Sequence, residues 1–543
     1  MKLDRNNRKQ SGLRHKLRGG GASALLVLAV AGIGEASAAA ASAPEILRSK
    51  CGTCHLENGA LQRIGNLRKS PEGWDMTIAR MGVWHKVEVS RDERKALVKY
   101  LADRQGLAPE ESAPYRYLLE RRPNAQDVVP NEEFAQMCGR CHSFGRVALQ
   151  RRDAGEWQKL VHTHLGQFPS IEYSALGRDR NWRELALGQT APQLAEHYPL
   201  RSAAWKDWQA RQASKPAGAA GSWRVVGNRP GWGDYAGTMR VTARGGDRYD
   251  VDYEFAYAAG SRVSGRGEAI LYTGYEWRGD ATLGNQPVRS VFALSKDGSR
   301  LAGRWFLRNA TEIGASFEAV RDEAKQRGRI LAVQPALLKA GGPATVSVHG
   351  VRLGKDVDLG PGIRVLAAEQ VSPHEVKLQL DVAADAAAGW RAVRAGAGRG
   401  EGRVAVYSRI DSVRVEPPFA YARHGGGTTT PESAQFEAIA YLDGADGKPG
   451  TDDDTRLGAV PASWTVDNFD DKAKAAEDAK FAGIMAPHGQ FIPAFAGPNP
   501  ARKGLNNVGD LSVVASVRDG ERTLDAGGRL MVVVQRWNTP PLR

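Results

Sequence analysis

The sequence predicts a multidomain protein, helical over its first third and built of antiparallel β-sheet beyond it. Three observations carry this reading. All four cysteines fall in two pentapeptides, Cys51-Gly-Thr-Cys54-His55 and Cys138-Gly-Arg-Cys141-His142, set in helix-forming sequence. Tyr249, Val251, Tyr253, Phe255 and Tyr257 alternate with Asp250, Asp252, Glu254 and Ala256, and beyond Ile330 short β-rich runs are repeatedly broken by Gly and Pro. C-x-x-C-H is the attachment signal for c-type haem: the two thiols add to the porphyrin vinyl groups and the adjacent His becomes the proximal iron ligand. The fold class is therefore an N-terminal all-α dihaem cytochrome c domain followed by three antiparallel all-β domains, the first barrel-like and the other two immunoglobulin-like sandwiches.

At 543 residues the chain exceeds what one core organises, and ~3–4 domains are expected. Its first 18 residues carry seven Lys or Arg, an apolar run follows from Ala22 to Ile33, and small residues surround Ala36-Ser37-Ala38. That order reads as a secretory signal peptide over 1–43, cut between 38 and 43. The apolar run is shorter than the ~20 residues a membrane span needs. Cutting after Ala38 removes seven positive and two negative charges and takes the formal +14 to +9. What remains is scattered basicity without the clustered cationic face of a nucleic-acid binder. Haem attachment and export together place the expected compartment in the periplasm.

Residues 44–214 form the expected dihaem domain and hold an internal repeat. In copy one Cys51–His55 is followed by Trp74 and Met81; in copy two Cys138–His142 is followed by Trp157 and His164. A potential iron ligand thus follows each Trp by seven residues, two helical turns on and on the same face. Ser90-Arg-Asp-Glu-Arg leads into Ala96–Leu101 as a capped helix, and Ala203–Gln212 reads as the last helix before a Lys215–Gly221 linker. Residues 222–325 then read as a barrel-like domain with turns at Gly245-Gly246 and Asp297-Gly298. Residues 328–408 and 409–543 begin alike, with Ile330–Pro335 and Ile410–Pro417 each followed by a Gly-rich turn, and read as the two sandwiches. A strand is expected at Thr345–Val348 and a final one at Leu530–Gln535.

His55 and His142 are the proximal ligands by motif, and Cys51, Cys54, Cys138 and Cys141 the covalent anchors. Two disulfides or a zinc knuckle pair are the competing uses of four cysteines, but neither explains a His after the second Cys both times. The sixth ligands are inferred. Met76, Met81 and His85 are candidates at the first iron, and the internal alignment selects Met81. His162 and His164 are candidates at the second; His164 matches Met81 and His162 is the reserve. Thioether ligation raises a haem potential and a second imidazole lowers it, so electrons are expected to run from the Cys138 haem to the Cys51 haem. Trp74 and Trp157 are expected beside the haems. The acidic stretch Asp443–Asp454 resembles an oxygen-rich calcium loop but lacks the closing Glu, and reads first as a solvated turn.

A dihaem cytochrome followed by three β domains, with the paired Trp-to-Met81 and Trp-to-His164 spacing, resembles the large (α) subunit of quinohaemoprotein amine dehydrogenase. Gly483-Ile-Met-Ala-Pro, Gly497-Pro-Asn-Pro and Asn506-Asn507 resemble it too. The resemblance implies a heterotrimer, with cysteine tryptophylquinone on a small subunit and a β-propeller subunit completing the site. It implies oxidation of primary amines to aldehydes and ammonia, with electrons passing through two haems c to a soluble cytochrome c or blue copper protein. This chain would then supply electron transfer and no catalytic residue of the amine chemistry. A dihaem peroxidase, and a dihaem electron shuttle whose β domains bind something else, are the competing functions.

Overall fold

The computed structural model describes residues 41–123, 125–169, 171, 180–214, 218–323, 328–395, 402–426 and 429–534. The signal segment, apart from its last three residues, lies outside the described residues, as do part of the Lys215–Gly221 linker and Gln535. Two helices carry the tryptophans of the repeat. In the first, Pro71–His85, Ser70 caps the N-terminus by accepting a hydrogen bond from Gly73 N at 3.2 Å, Pro71 stands at the first helical position, and Lys86 ends it in the left-handed region. In the second, Ala154–Gln167, Asp153 accepts from Glu156 N at 2.8 Å. The Ser90-led helix spans Arg91–Gln105 and begins with a reciprocal capping box between Ser90 and Glu93.

The region is helical but not all-α. Leu56–Glu57 pairs with Ala60–Leu61, and Leu67–Lys69 pairs antiparallel with Gln150–Arg152. These strands are two or three residues long, too short for a period-two pattern to announce them. The second ladder organises the region. Its register is Leu67↔Arg152, Arg68↔Arg151 and Lys69↔Gln150. Lys69 stands five residues before Trp74 and Arg152 five before Trp157, so Arg68 and Arg151 are repeat equivalents that face each other. The local pseudo-twofold axis of the ladder therefore passes through that pair. Glu111 sits at the axis and takes both: Arg68 Nη1 and Nη2 donate to its two oxygens at 2.8 and 2.9 Å, and Arg151 Nε donates at 3.2 Å. Burial alone would raise the Glu111 carboxyl, but hydrogen bonds and charge from Arg68 and Arg151 outweigh it and hold it at about 2.

The next domain is a closed barrel of eight antiparallel strands in sequential order, from Gly221–Arg229 to Ala310–Arg321, and the last strand closes on the first at Glu318↔Val226. Arg248–Tyr257 alternates exposed and buried residues as its sequence predicts, sending Tyr249, Val251, Tyr253, Phe255 and Tyr257 inward. Aromatic rings fill the interior, with Phe292 and Phe317 stacked at 4.0 Å and Tyr249 on Trp277 at 5.7 Å. The barrel's outer face completes the haem-side cores. Tyr272 packs with Trp74, Leu97 and Leu101, while Val291 and Phe306 pack with the Phe134, Phe144 and Trp157 cluster. The hairpin at Thr273 plugs into the helix ends: Thr273 N donates to Asp103 Oδ1 at 2.8 Å, Thr273 Oγ1 to Ala102 O at 3.0 Å, and Trp208 Nε1 to Thr273 O at 2.8 Å.

Two further β domains follow. The first sets a four-stranded sheet, ordered Arg329–Gln334, Gly342–Val351, Glu375–Val382, Ile363–Ser372, against a three-stranded one. Ile330, Val348, Leu378, Val404 and Val406 fill the space between them. The second has a four-stranded sheet containing Gly509–Asp519 and Arg522–Val533, with two three-stranded sheets beside it. Both depart from the purely antiparallel expectation. Leu337–Lys339 runs parallel to Arg403–Tyr407, and Phe419–Arg423 parallel to Arg522–Val533. Each short strand reaches a partner more than 60 residues away, a pairing that local patterning does not encode.

Candidate haem-attachment sites

The first pentapeptide lies where a widened π turn, Leu47–Cys51, runs into Gly52–His55. Cys51 and His55 are half-buried and Cys54 is exposed. The second begins at Cys138, the last residue of the Glu132–Cys138 helix, which Gly139 ends; Cys141 and His142 follow half-buried. None of the four cysteines pairs in a disulfide. Burial raises the thiols of Cys51 and Cys141, and burial with the Glu133 charge pushes Cys138 up to about 12.

The imidazoles are held as neutral ligands would be. His142 Nδ1 lies 3.0 Å from Ser143 O, and His164 Nδ1 lies 3.0 Å from Leu160 O, one helical turn back. A carbonyl can only accept, so Nδ1 carries the proton in each ring and Nε2 keeps its lone pair for a metal. Burial lowers His142 to about 4, against the hydrogen bond to Ser143. Burial also lowers His164, and the charges of Arg80, Arg146 and Arg152 lower it further. At His55 burial, Arg63 and His85 lower the ring while Glu156 and the Gln62 carbonyl raise it.

The proposed sixth ligands fall on the two tryptophan helices. Met81 is half-buried and Met76 is 49% exposed; His85 is exposed near the helix end, four residues beyond Met81 and within electrostatic reach of His55. In copy two His164 is half-buried 6.3 Å from the Trp182 ring, whereas His162 is exposed. The His142 ring feels the His164 charge, so those two residues are brought together. Trp74 and Trp157 are buried to 1% exposure. Trp74 Nε1 donates to Gln105 O at 3.0 Å; Trp157 Nε1 is buried without a hydrogen-bond partner.

Sequence reasoning missed the charges around these residues. Lys69 lies over the Trp74 ring at 5.8 Å and Arg152 over the Trp157 ring at 5.6 Å. Glu156, 1% exposed, joins Arg63 of copy one at 3.1 Å to Lys159 of copy two at 2.8 Å. The signal was present, since Lys69 and Arg152 hold equivalent places in the repeat. Among the described residues no three His, Cys, Asp or Glu side chains converge as a metal site, which a porphyrin iron, asking for two axial side chains, does not require. The acidic loop 443–454 uses its carboxylates internally: Asp453 accepts from Ala445 N at 2.6 Å, Asp454 accepts from Gly450 N at 2.8 Å, and Asp454 pairs with Arg414.

Four family models match the chain in consecutive order. They describe quinohemoprotein amine dehydrogenase A, alpha subunit, haem binding (residues 41–205), and alpha-subunit domains II (216–322), III (327–408) and IV (413–542). No curated protein matches. Among solved structures, a redesigned β-barrel, mFAP1, bound to DFHBI is 14% identical over 19% of this chain and 94% of its own, with a TM-score of 0.17. Mouse clustered PcdhgC3 EC1-3 is 11% identical over 45% of this chain and 86% of its own, at 0.16. Domains 5-6 of the S-layer protein SbsC are 12% identical over 39% of this chain and 100% of their own, also at 0.16. Scores this low carry no argument about the whole chain.

Proposed function

The chain belongs to the quinohemoprotein amine dehydrogenase alpha-subunit family, and on that premise we propose that it is the dihaem, electron-relaying subunit of a heterotrimeric amine dehydrogenase in the periplasm. The single observation that carries the proposal is the match of all four segments, in order, to one subunit of one enzyme. Primary amines are oxidised to aldehydes and ammonia at cysteine tryptophylquinone on a separate small subunit, with a β-propeller subunit completing the assembly. Haem c at the two pentapeptides would supply the one-electron chemistry that links the quinone to a soluble cytochrome c or blue copper protein.

In this reading Cys51 and Cys54 anchor the first haem, and Cys138 and Cys141 the second. His55 and His142 are proximal ligands; Met81 and His164 are the distal ones. The free Nε2 atoms of His142 and His164, each ring fixed by a backbone carbonyl, support the second pair. The repeat supports Met81, and the nearness of His85 to His55 makes His85 the alternative on the same helix. The two domains after the barrel are read as immunoglobulin-like sandwiches that enclose the small subunit. Export through a signal peptide over 1–43, cut between 38 and 43, brings the chain to the compartment where haem c is attached.

The test is made on the exported native complex. Mass spectrometry should find two haems on this chain, and a short cysteine-rich chain should co-purify. Adding a primary amine should reduce the haems of the complex and leave those of the isolated chain oxidised. Two haems without a quinone-bearing companion would favour the electron shuttle, and carbon monoxide binding to the reduced haems the peroxidase.

A further inference from the structure

We propose that Lys69, Arg80 and Arg152 form one cationic seat between the two haem pockets that receives a propionate carboxylate from each haem, clamping the pair together. The proposal rests on the haem reading above and extends it to residues outside both motifs. It begins at the pseudo-twofold ladder. The pair on the axis, Arg68 and Arg151, shares the Glu111 carboxylate. The pair flanking it, Lys69 and Arg152, has only Glu156, 3.7 Å from Arg152 and shared with Arg63 and Lys159.

Lys69 is 6% exposed, and its ammonium makes one hydrogen bond, to Thr77 Oγ1 at 2.7 Å. Among the described residues no carboxylate forms an ion pair with it. Burial, Arg152 and Arg80 lower its affinity for a proton, and Glu156 opposes them only in part. Arg152, also 6% exposed, rests on the neutral Gln150 side-chain oxygen at 3.0 and 2.9 Å, with Glu156 at 3.7 Å. Glu156 is already shared with Arg63 and Lys159. Arg80, half-buried on the Met81 helix with its guanidinium over the Trp84 ring at 5.8 Å, lies near enough to Arg146 and Arg152 for its charge to oppose theirs. Beside Arg152, buried Trp157 Nε1 has no acceptor.

Buried cations gathered around an unsatisfied N–H call for anionic oxygen, because a desolvated charge without a counter-charge is costly to keep. The ligand should also be apolar in its body, since Lys69 lies over Trp74 and Arg152 over Trp157, each ring in the apolar core of its own half. Haem answers that description: an apolar ring with two carboxylates, tethered by Cys51–Cys54 and Cys138–Cys141 to the two halves that the ladder joins. Lys69 and Arg152, equivalent by the repeat, would each serve the haem of their own half, and Arg80 would bridge the two.

The test is spectroelectrochemical titration of the full holo-chain, after mass spectrometry has counted its haems. Lys69→Met keeps the apolar stem and drops the charge. It should shift the reduction equilibrium of the nearer haem about tenfold toward the oxidised form, 59 mV for a one-electron couple, and move the other haem in the same direction. Lys69→Arg should restore both. Arg152→Gln should produce the mirror pattern, and it carries the test if Lys69→Met does not accumulate. Resonance Raman propionate-bending bands should shift in these variants and stay put in the exposed control Lys95→Met. Unmoved potentials, a shift confined to one haem, or potentials that follow added phosphate in the unmodified chain would overturn the seat. Absence of haem from the chain would instead overturn the reading on which it rests.

Discussion

An imidazole is a usable iron ligand when its second nitrogen is already committed, and His164 meets that condition through Leu160 O one turn behind it. The neighbouring His162 is exposed, so burial and the Leu160 hydrogen bond support His164 as the ligand to test. The substitution His164→Met exchanges a strong nitrogen donor for a thioether and is expected to raise the potential of the second haem. The rise should be on the order of 100 mV, well inside the ~0.8 V that axial ligation spans. Redox titration of the haem band at Cys138–Cys141 reads it directly. An unchanged potential would transfer the ligand role to another residue.

At the scale of elements, much was legible because it is written locally. The Ser90–Glu93 capping box, the alternating strand at 248–257 and both tryptophan helices follow from caps and periodicity that a few residues contain. The Leu67–Lys69 and Gln150–Arg152 ladder was not legible, because three residues hold barely one period and their partners lie more than 80 residues apart. The same limit hid the two parallel pairings and the charged axis at Glu111. Junctions between elements show the cost of such long-range fit. A Cβ on Gly106 would stand 2.2 Å from Ala102 O and 2.7 Å from Thr273 Oγ1, at the point where the barrel hairpin enters the haem region. Gly106→Ala is therefore expected to destabilise the chain by ~1–3 kcal/mol, the usual range for overpacking. Denaturant unfolding of the holo-chain measures it, and a neutral result would show that the hairpin can withdraw without loss.

For the molecule as a whole, the haem region and barrel share more than apolar surface: a chain of charges crosses their seam, half-buried at Glu72 and buried at Glu276. Arg278 of the barrel donates to Glu72 of the Met81 helix at both carboxylate oxygens, the longer bond 3.1 Å, while Glu276 Oε1 lies 3.8 Å away. Glu276 is 2% exposed, its Oε2 has no partner, and Tyr275 beside it is tied to Ser112 at 2.7 Å. Burial pushes the Glu276 carboxyl up to about 7; Arg278 opposes that and Glu72 adds to it. The folded chain thus holds a proton that the unfolded chain releases near 4.5. Stability from this group is present below about 4.5 and is lost as pH rises toward about 7. Glu276→Gln cannot ionise and leaves Arg278 its Glu72 partner. It is expected to match the unmodified chain at pH 5 and exceed it at pH 8, by on the order of 2–3 kcal/mol at most. Urea unfolding of both proteins across that range gives the difference, in which every other carboxylate cancels. A difference that stays flat with pH would mean that Glu276 is ionised in the folded seam, and that Arg278 balances both carboxylates at once.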